Sequence, residues 1–106
     1  MRIDVSARGE GKTTRALRWL LGDLDHRVLI VHNVAEERRI IEHLKSLESF
    51  RKEDIRMIEN RIHQFSCIED NELRGTSCNE IWIDNVDLCL SDYLCGIKLA
   101  GMSMTP

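Results

Sequence analysis

Residues 6 to 14 read Ser-Ala-Arg-Gly-Glu-Gly-Lys-Thr-Thr, and this stretch restricts the fold more than any other part of the chain. A short apolar segment, Ile3 to Val5, leads into it, and an amphipathic segment, Lys12 to Leu21, leads out of it. A strand, a Gly-containing turn and a helix in that order form the layout of a phosphate-binding loop. The pattern asks for a Gly, four residues, then Gly-Lys-Ser/Thr. Gly11, Lys12 and Thr13 satisfy its end, whereas Ser6 stands where the first Gly belongs. The physics tolerates that change. Gly9 and Gly11 let the backbone turn tightly and approach an anion closely. The N–H groups of a helix start, at the positive end of the helix dipole, then face that anion. Lys12 adds a mobile point charge for outer phosphates, and the Thr13 hydroxyl can ligate magnesium. The expected nucleotide cradle is therefore Ser6, Gly9, Glu10, Gly11, Lys12, Thr13 and Thr14.

A chain of 106 residues supports one domain, residues 1–106, with a modest core. Its hydrophobic share of 42% is that of a globular protein. No apolar run approaches the ~18 residues of a membrane helix, so no membrane partner is expected. Arg2 and Asp4 interrupt any signal-peptide-like run, which leads us to expect the cytoplasm. A net charge of −3 argues against a globally basic nucleic-acid binder while leaving room for a local basic patch. Cys67, Cys78, Cys89 and Cys95 contain no Cys-x-x-Cys pair. His63 and Cys67 are spaced as helix neighbours, but no second pair completes a zinc site. Cytoplasmic disulfides are disfavoured, so buried thiols are expected.

Met1 to Ser6 reads as a short strand in which Asp4 suggests one poorly covered face. In Lys12 to Leu21, the residues Ala16, Leu17, Leu20, Leu21 and, beyond it, Leu24 make a helical stripe. Trp19 lies off that stripe, as a rim residue or a partner contact, and Gly22 is a plausible terminator. Arg27 to His32 holds a continuous β-branched run and reads as a buried strand. Asn33 then caps a helix with Glu36 three residues on. Ile40, Ile41, Leu44 and Leu47 form the inner face of that helix, and Glu36, Glu37, Arg38, Arg39, Glu42 and Lys45 a solvated outer face. Ser49 to Asp54 is a polar connection. Ile55 to Ile68 fits either a helix or two short strands turning at Glu59–Asn60, and we favour the strands. Glu69 to Asn79 reads as a loop.

Glu80 to Asn85, Glu-Ile-Trp-Ile-Asp-Asn, reads as a strand with Ile81, Trp82 and Ile83 buried and Asp84 at its carboxyl end. Ligands bind at that end of open α/β sheets, and a carboxylate there can hold magnesium through water beside Thr13. Val86 to Tyr93 is expected as a short helix or turn. Ile97 to Met104 is expected as a last strand, followed by Pro106.

The combination of Ala-Arg-Gly-Glu-Gly-Lys-Thr, Glu72-Leu-Arg-Gly75, Ile-Trp-Ile-Asp-Asn and Met-Ser-Met-Thr-Pro resembles P-loop NTPases of the additional-strand class. Within that class it is most similar to the ATPase core of phage terminase large subunits and related helicases. The resemblance implies an α/β, minimal three-layer P-loop NTPase fold with a mostly parallel central sheet. It implies a Ser/Thr-bearing strand between the phosphate-loop strand and the acidic strand, which would leave the phosphate-loop strand at an edge. It also implies ATP and Mg2+ as cofactors and a phage origin. By the same resemblance Lys12 would bind the outer phosphates, Thr13 and Asp84 the metal, and Arg8 the transferred phosphate. Ser103 and Thr105 would couple nucleotide state to motion.

The chain departs from that family in three ways. Ser6 replaces a Gly, Asn85 stands at the position of the catalytic Glu, and no upstream adenine-binding segment or nuclease domain is expected. The catalytic set is then Arg8, Asp84 and Asn85, with Asp87 or Glu80 as substitutes for the missing acid. An Asn can orient water but cannot take its proton, so slow ATP hydrolysis is expected, with Asn85→Glu expected to raise it. The alternative is a catalytically impaired nucleotide-binding module, or one that binds no nucleotide, that regulates a larger partner. A protein partner or a homo-oligomer stays open, and nucleic acid rests on family analogy alone.

Overall fold

The structure, a computed structural model, describes residues 11–69, 73, 78–95, 97, 100, 101 and 103. Within them the order of elements is α1 (Lys12–Leu21), β1 (Arg27–Val31), α2 (Val34–Ser46), α3 (Lys52–Glu59), β2 (Ile62–Gln64), α4 (Ser66–Glu69), β3 (Glu80–Ile83) and α5 (Val86–Tyr93). The three strands form one parallel sheet in the order β2-β1-β3. The fold is thus a small α/β domain. No helix among the described residues is long and apolar enough to cross a membrane.

The central strand is the one whose sequence is apolar on both faces. Val28, Leu29, Ile30 and Val31 are all buried, at 0–1% exposure. This is what a strand covered on both sides requires. Its neighbours are set in register by Leu29, which lies opposite Ile62 on one side and Trp82 on the other.

From β1 the chain crosses outward to β2 through α2 and α3, then returns past β1 to β3 through α4. Parallel crossovers are right-handed almost without exception, so the outward and return paths use opposite faces of the sheet. The core divides in just that way. Leu29 and Val31 pack with Ala16, Leu17 and Leu20 of α1, Ile40 and Leu44 of α2, and Phe50, Ile58 and Ile62. On the other face Val28 and Ile30 pack with Cys67 of α4, and Phe65, Leu73, Cys78 and Ile83 surround them.

The helices follow the expected stripes. On α1, Ala16, Leu17 and Leu20 are buried and Leu21 is half-buried. Gly22 ends this helix with right-handed helical φ and ψ, its N–H reaching the Trp19 and Leu20 carbonyls, so it stops the helix without the left-handed turn usual for a terminal Gly. Trp19 is a rim residue. Its ring lies 5.5 Å from that of Trp82, and the Arg27 guanidinium sits 4.8 Å from its centroid. Arg27 also donates to the Trp19 carbonyl at 2.6 Å and pairs with Glu80 at 3.3 Å. One side chain therefore ties the end of α1 to the amino ends of β1 and β3.

The structure corrects several expectations. Residues 55 to 57 are helical, because Ile55 and Ile58 at helical spacing turn to the core while Arg56 and Met57 face outward. The helix starts at Lys52, within the stretch read as a polar connection, with Glu53 and Asp54 favourably placed at the positive end of its dipole. The strand of this region is Ile62–Gln64, so His63 lies on β2 and Cys67 on α4, and the two are not neighbours on one helix. Ile81 is 44% exposed rather than buried, and Trp82 and Ile83 are half-buried; among the described residues the cover on the Ile81 face, Cys67 with Phe65, Leu73 and Cys78, packs with Ile83 and not with Ile81. Residues 97, 100, 101 and 103, the described part of the expected last strand, are not in a strand, and Ile97 is 70% exposed. The expected first strand, Met1 to Ser6, lies outside the described residues.

Candidate functional site

The α1 helix begins at Lys12, directly after Gly11, whose φ of 80° lies in the left-handed region. A side chain there would be strained, which is the physical reason for Gly at that position. The Gly11 carbonyl accepts the Arg15 N–H at 3.0 Å and closes the first turn. No side chain caps the start of α1. Among the described residues its first N–H groups therefore meet no side-chain cap, and they are oriented as an anion-binding end. Lys12, Thr13 and Thr14 are half-buried.

Across from this helix start lies the carboxyl end of β3. The Asp84 N–H donates to the Ile30 carbonyl at 2.9 Å, which extends the ladder one residue past Ile83. Asp84 is 3% exposed, the one buried charged residue among those described. Asn85 follows with φ at 52°, and its carbonyl accepts the N–H groups of Leu88 at 3.0 Å and Cys89 at 3.2 Å. Cys89 is buried, and its thiol donates to the Asp84 carbonyl at 3.8 Å. The Asp84–Asn85 turn is thus clamped between the sheet and the first turn of α5.

Lys12 Nζ donates to Asn85 Oδ1 at 2.6 Å, across 73 positions of sequence. This contact makes the two stretches singled out in the sequence into one site. It also differs from a simple alternation argument, which would turn Asn85 away from Asp84 to the opposite side of a continuing strand. The strand ends at Ile83, and the left-handed backbone of Asn85 carries its amide to Lys12.

The α2 helix contributes groups from the same carboxyl edge, because it follows directly on β1. Asn33 Oδ1 accepts the Glu36 N–H at 3.0 Å, as the cap expects. The Glu36 carboxylate accepts from Arg39 Nε at 3.1 Å and Nη2 at 2.8 Å. The hydrogen bond to Glu36 is the main reason that the Arg39 pKa is raised; burial opposes it, and the charges of Glu36 and Asp84 add to it. Arg39 therefore lies in the field of Asp84. His43 Nε2 is 3.3 Å from Thr14 Oγ1, a link between α1 and α2. Arg39 is exposed, as the sequence's solvated face expects, while the sequence reading assigns His43 no role. The signal that points to His43 is the Asn33 cap, which fixes where α2 leaves the sheet edge.

Of the expected site residues, Gly11, Lys12, Thr13, Thr14, Asp84 and Asn85 are described, and Lys12 and Asn85 are in contact. Ser6, Arg8, Gly9 and Glu10 lie outside the described residues, as does Thr105, and Ser103 is exposed. Glu80 is corrected as a substitute acid. It pairs with Arg27 at the amino end of β3, about 13 Å of strand away from Asp84. Asp87 lies exposed in the first turn of α5.

The donors present are oxygens: a buried carboxylate and a threonine hydroxyl at a helix start. Among the described residues no group of three or more His, Cys, Asp and Glu could hold a metal by itself. A magnesium ion that keeps waters and shares phosphate oxygens needs only one or two protein ligands, so this donor set suits it. No protein-family model, curated protein or solved structure matches the chain.

Proposed function

We propose that the chain is a P-loop protein of the three-layer kind, binding a nucleoside triphosphate, ATP foremost, together with magnesium, and hydrolysing it slowly. The observation that carries the reading is the 2.6 Å contact from Lys12 to Asn85, which joins the Gly-Lys-Thr helix start to the acidic end of β3. In this reading Gly11 and the first N–H groups of α1 cradle phosphate. Lys12 neutralises the outer phosphates, and Thr13 and Asp84 hold the magnesium, which spreads the charge of the transferred group when bound. Arg8 faces that group by the terminase resemblance. The reading includes a cytoplasmic location and a phage origin.

A specific observation favours a second reading, that of a module that regulates a larger partner. The position of the usual acid is an amide, and its oxygen is already engaged by Lys12. An amide cannot take a proton from water. Catalysis without a general base forgoes about 10²–10⁴-fold in rate.

Calorimetric titration with ATP and GTP, with and without magnesium, separates these outcomes when followed by a phosphate-release assay. Magnesium-dependent binding with slow release of phosphate supports the first reading. Tight binding with no release supports the second. Absence of binding to either nucleotide overturns the nucleotide site.

A further inference from the structure

We propose that Asn85 is a positioning residue which holds the Lys12 ammonium in the resting site and competes with phosphate for it. The consequence for affinity rests on the nucleotide-binding reading; the hold on Lys12 does not. Three observations carry the inference. The Lys12 Nζ to Asn85 Oδ1 distance of 2.6 Å is that of a short, charge-assisted hydrogen bond, and both groups are half-buried, where such bonds are poorly screened. The acceptor is rigid, because the Asn85 carbonyl is fixed by the Leu88 and Cys89 N–H groups and Cys89 is itself buried. The backbone is left-handed at φ 52°, a conformation that Asn adopts more readily than Glu or Gln. An amide acceptor on that backbone orients a cation without neutralising it. A carboxylate would pair with Lys12 and withhold it from phosphate, whereas an apolar side chain would leave it unplaced.

The affinity for nucleotide is then set by a difference between two acceptors of the same ammonium. Asn85→Gly removes the side-chain acceptor and keeps the left-handed backbone. Asn85→Asp keeps the size and turns the hydrogen bond into an ion pair. Calorimetry with magnesium-ATP should show about 10-fold tighter binding for the Gly form and about 10-fold weaker binding for the Asp form. A second readout needs no nucleotide. Brief acetylation with acetic anhydride, followed by peptide mass mapping, gives the reactivity of Lys12 relative to exposed Lys52 in each form. Lys12 should react faster than the parent in the Gly form and slower in the Asp form. If circular dichroism shows the Gly form unfolded, the Asp form alone carries both measurements.

Equal Lys12 reactivity in the parent and every folded variant overturns the proposal. So does weaker ATP binding in the Gly form, which would make Asn85 a direct nucleotide contact. The ordered change in Lys12 reactivity without heat from any nucleotide upholds the hold on Lys12 and sinks the nucleotide site instead.

Discussion

Lys12 has one bonded partner among the described residues, and it is a neutral one. A charge held by an amide keeps most of its capacity for an anion, so Lys12→Ala should leave the far-ultraviolet circular dichroism unchanged and weaken magnesium-ATP binding by on the order of 100-fold. Equal affinity in the two forms would end the assignment. Gly11 makes a different demand. Among the described residues an added Cβ would meet only Arg15 Nη1, at 3.5 Å, an ordinary contact, so conformation is the obstacle they present. Gly11→Ala should cost roughly 1–2 kcal/mol in urea denaturation through left-handed strain alone. The geometry also changes what Asn85→Glu should do. Sequence reading expects the added acid to speed hydrolysis. Beside Lys12 the carboxylate pairs with the ammonium, on a backbone that disfavours Glu. Phosphate release at saturating ATP should therefore not rise, and the ATP concentration needed for saturation should.

At the scale of the element, three helix starts use two different devices. Gly11 begins α1 and Asn85 precedes α5, both in the left-handed region, while Asn33 begins α2 in an extended conformation with a side-chain cap. The Asn33 cap matters beyond its own helix, because it fixes how α2 leaves the sheet edge where Glu36, Arg39 and His43 gather. Asn33→Ala should cost about 1 kcal/mol of stability, read from the urea midpoint. It should also loosen the His43–Thr14 link. The segment Lys52–Glu59 shows why an element can defeat a pattern. Ile55-Arg56-Met57 alternates as a strand would, but alternation over three residues is weak information. The longer spacing from Ile55 to Ile58, with acids at the first turn, decides for a helix.

For the whole molecule, β1 is the central element, flanked by both other strands and contributing to both core clusters. Leu29 is fully buried between α1, α2 and α3 and is paired across the sheet with Ile62 and Trp82. Leu29→Ala should cost about 2–5 kcal/mol, a large part of the ~5–15 kcal/mol that holds a domain together. Tryptophan emission should report the loss, since Trp19 and Trp82 pack on one another at the rim of this core. A ligand that binds only the folded chain acts in the opposite direction. Magnesium-ATP at about 100 times its Kd adds about 2.7 kcal/mol and should raise the Tm by roughly 10 °C in a domain of this size. The rise should vanish in Lys12→Ala.

The continuous Val28–Val31 run identified the buried strand because only a strand covered on both faces can use four successive apolar side chains. The stripes of α1 and α2 and the cap at Asn33 were legible for a similar reason: each is a local rule, written in neighbours a few residues apart. The Gly-Lys-Thr turn and the acidic strand end were legible as separate fragments. The phosphate-loop pattern and the carboxyl-end rule lead us to expect them side by side, but the direct bond from Lys12 to Asn85 was not legible, because 73 positions lie between them and it depends on the left-handed turn at Asn85. The strand order β2-β1-β3, the exposure of Ile81 and the turn of Asn85 toward Lys12 were likewise decided in three dimensions. Each depends on which face a crossover takes, how far the cover on that face extends and where the β3 ladder stops, and these are properties of packing between elements rather than of any one of them.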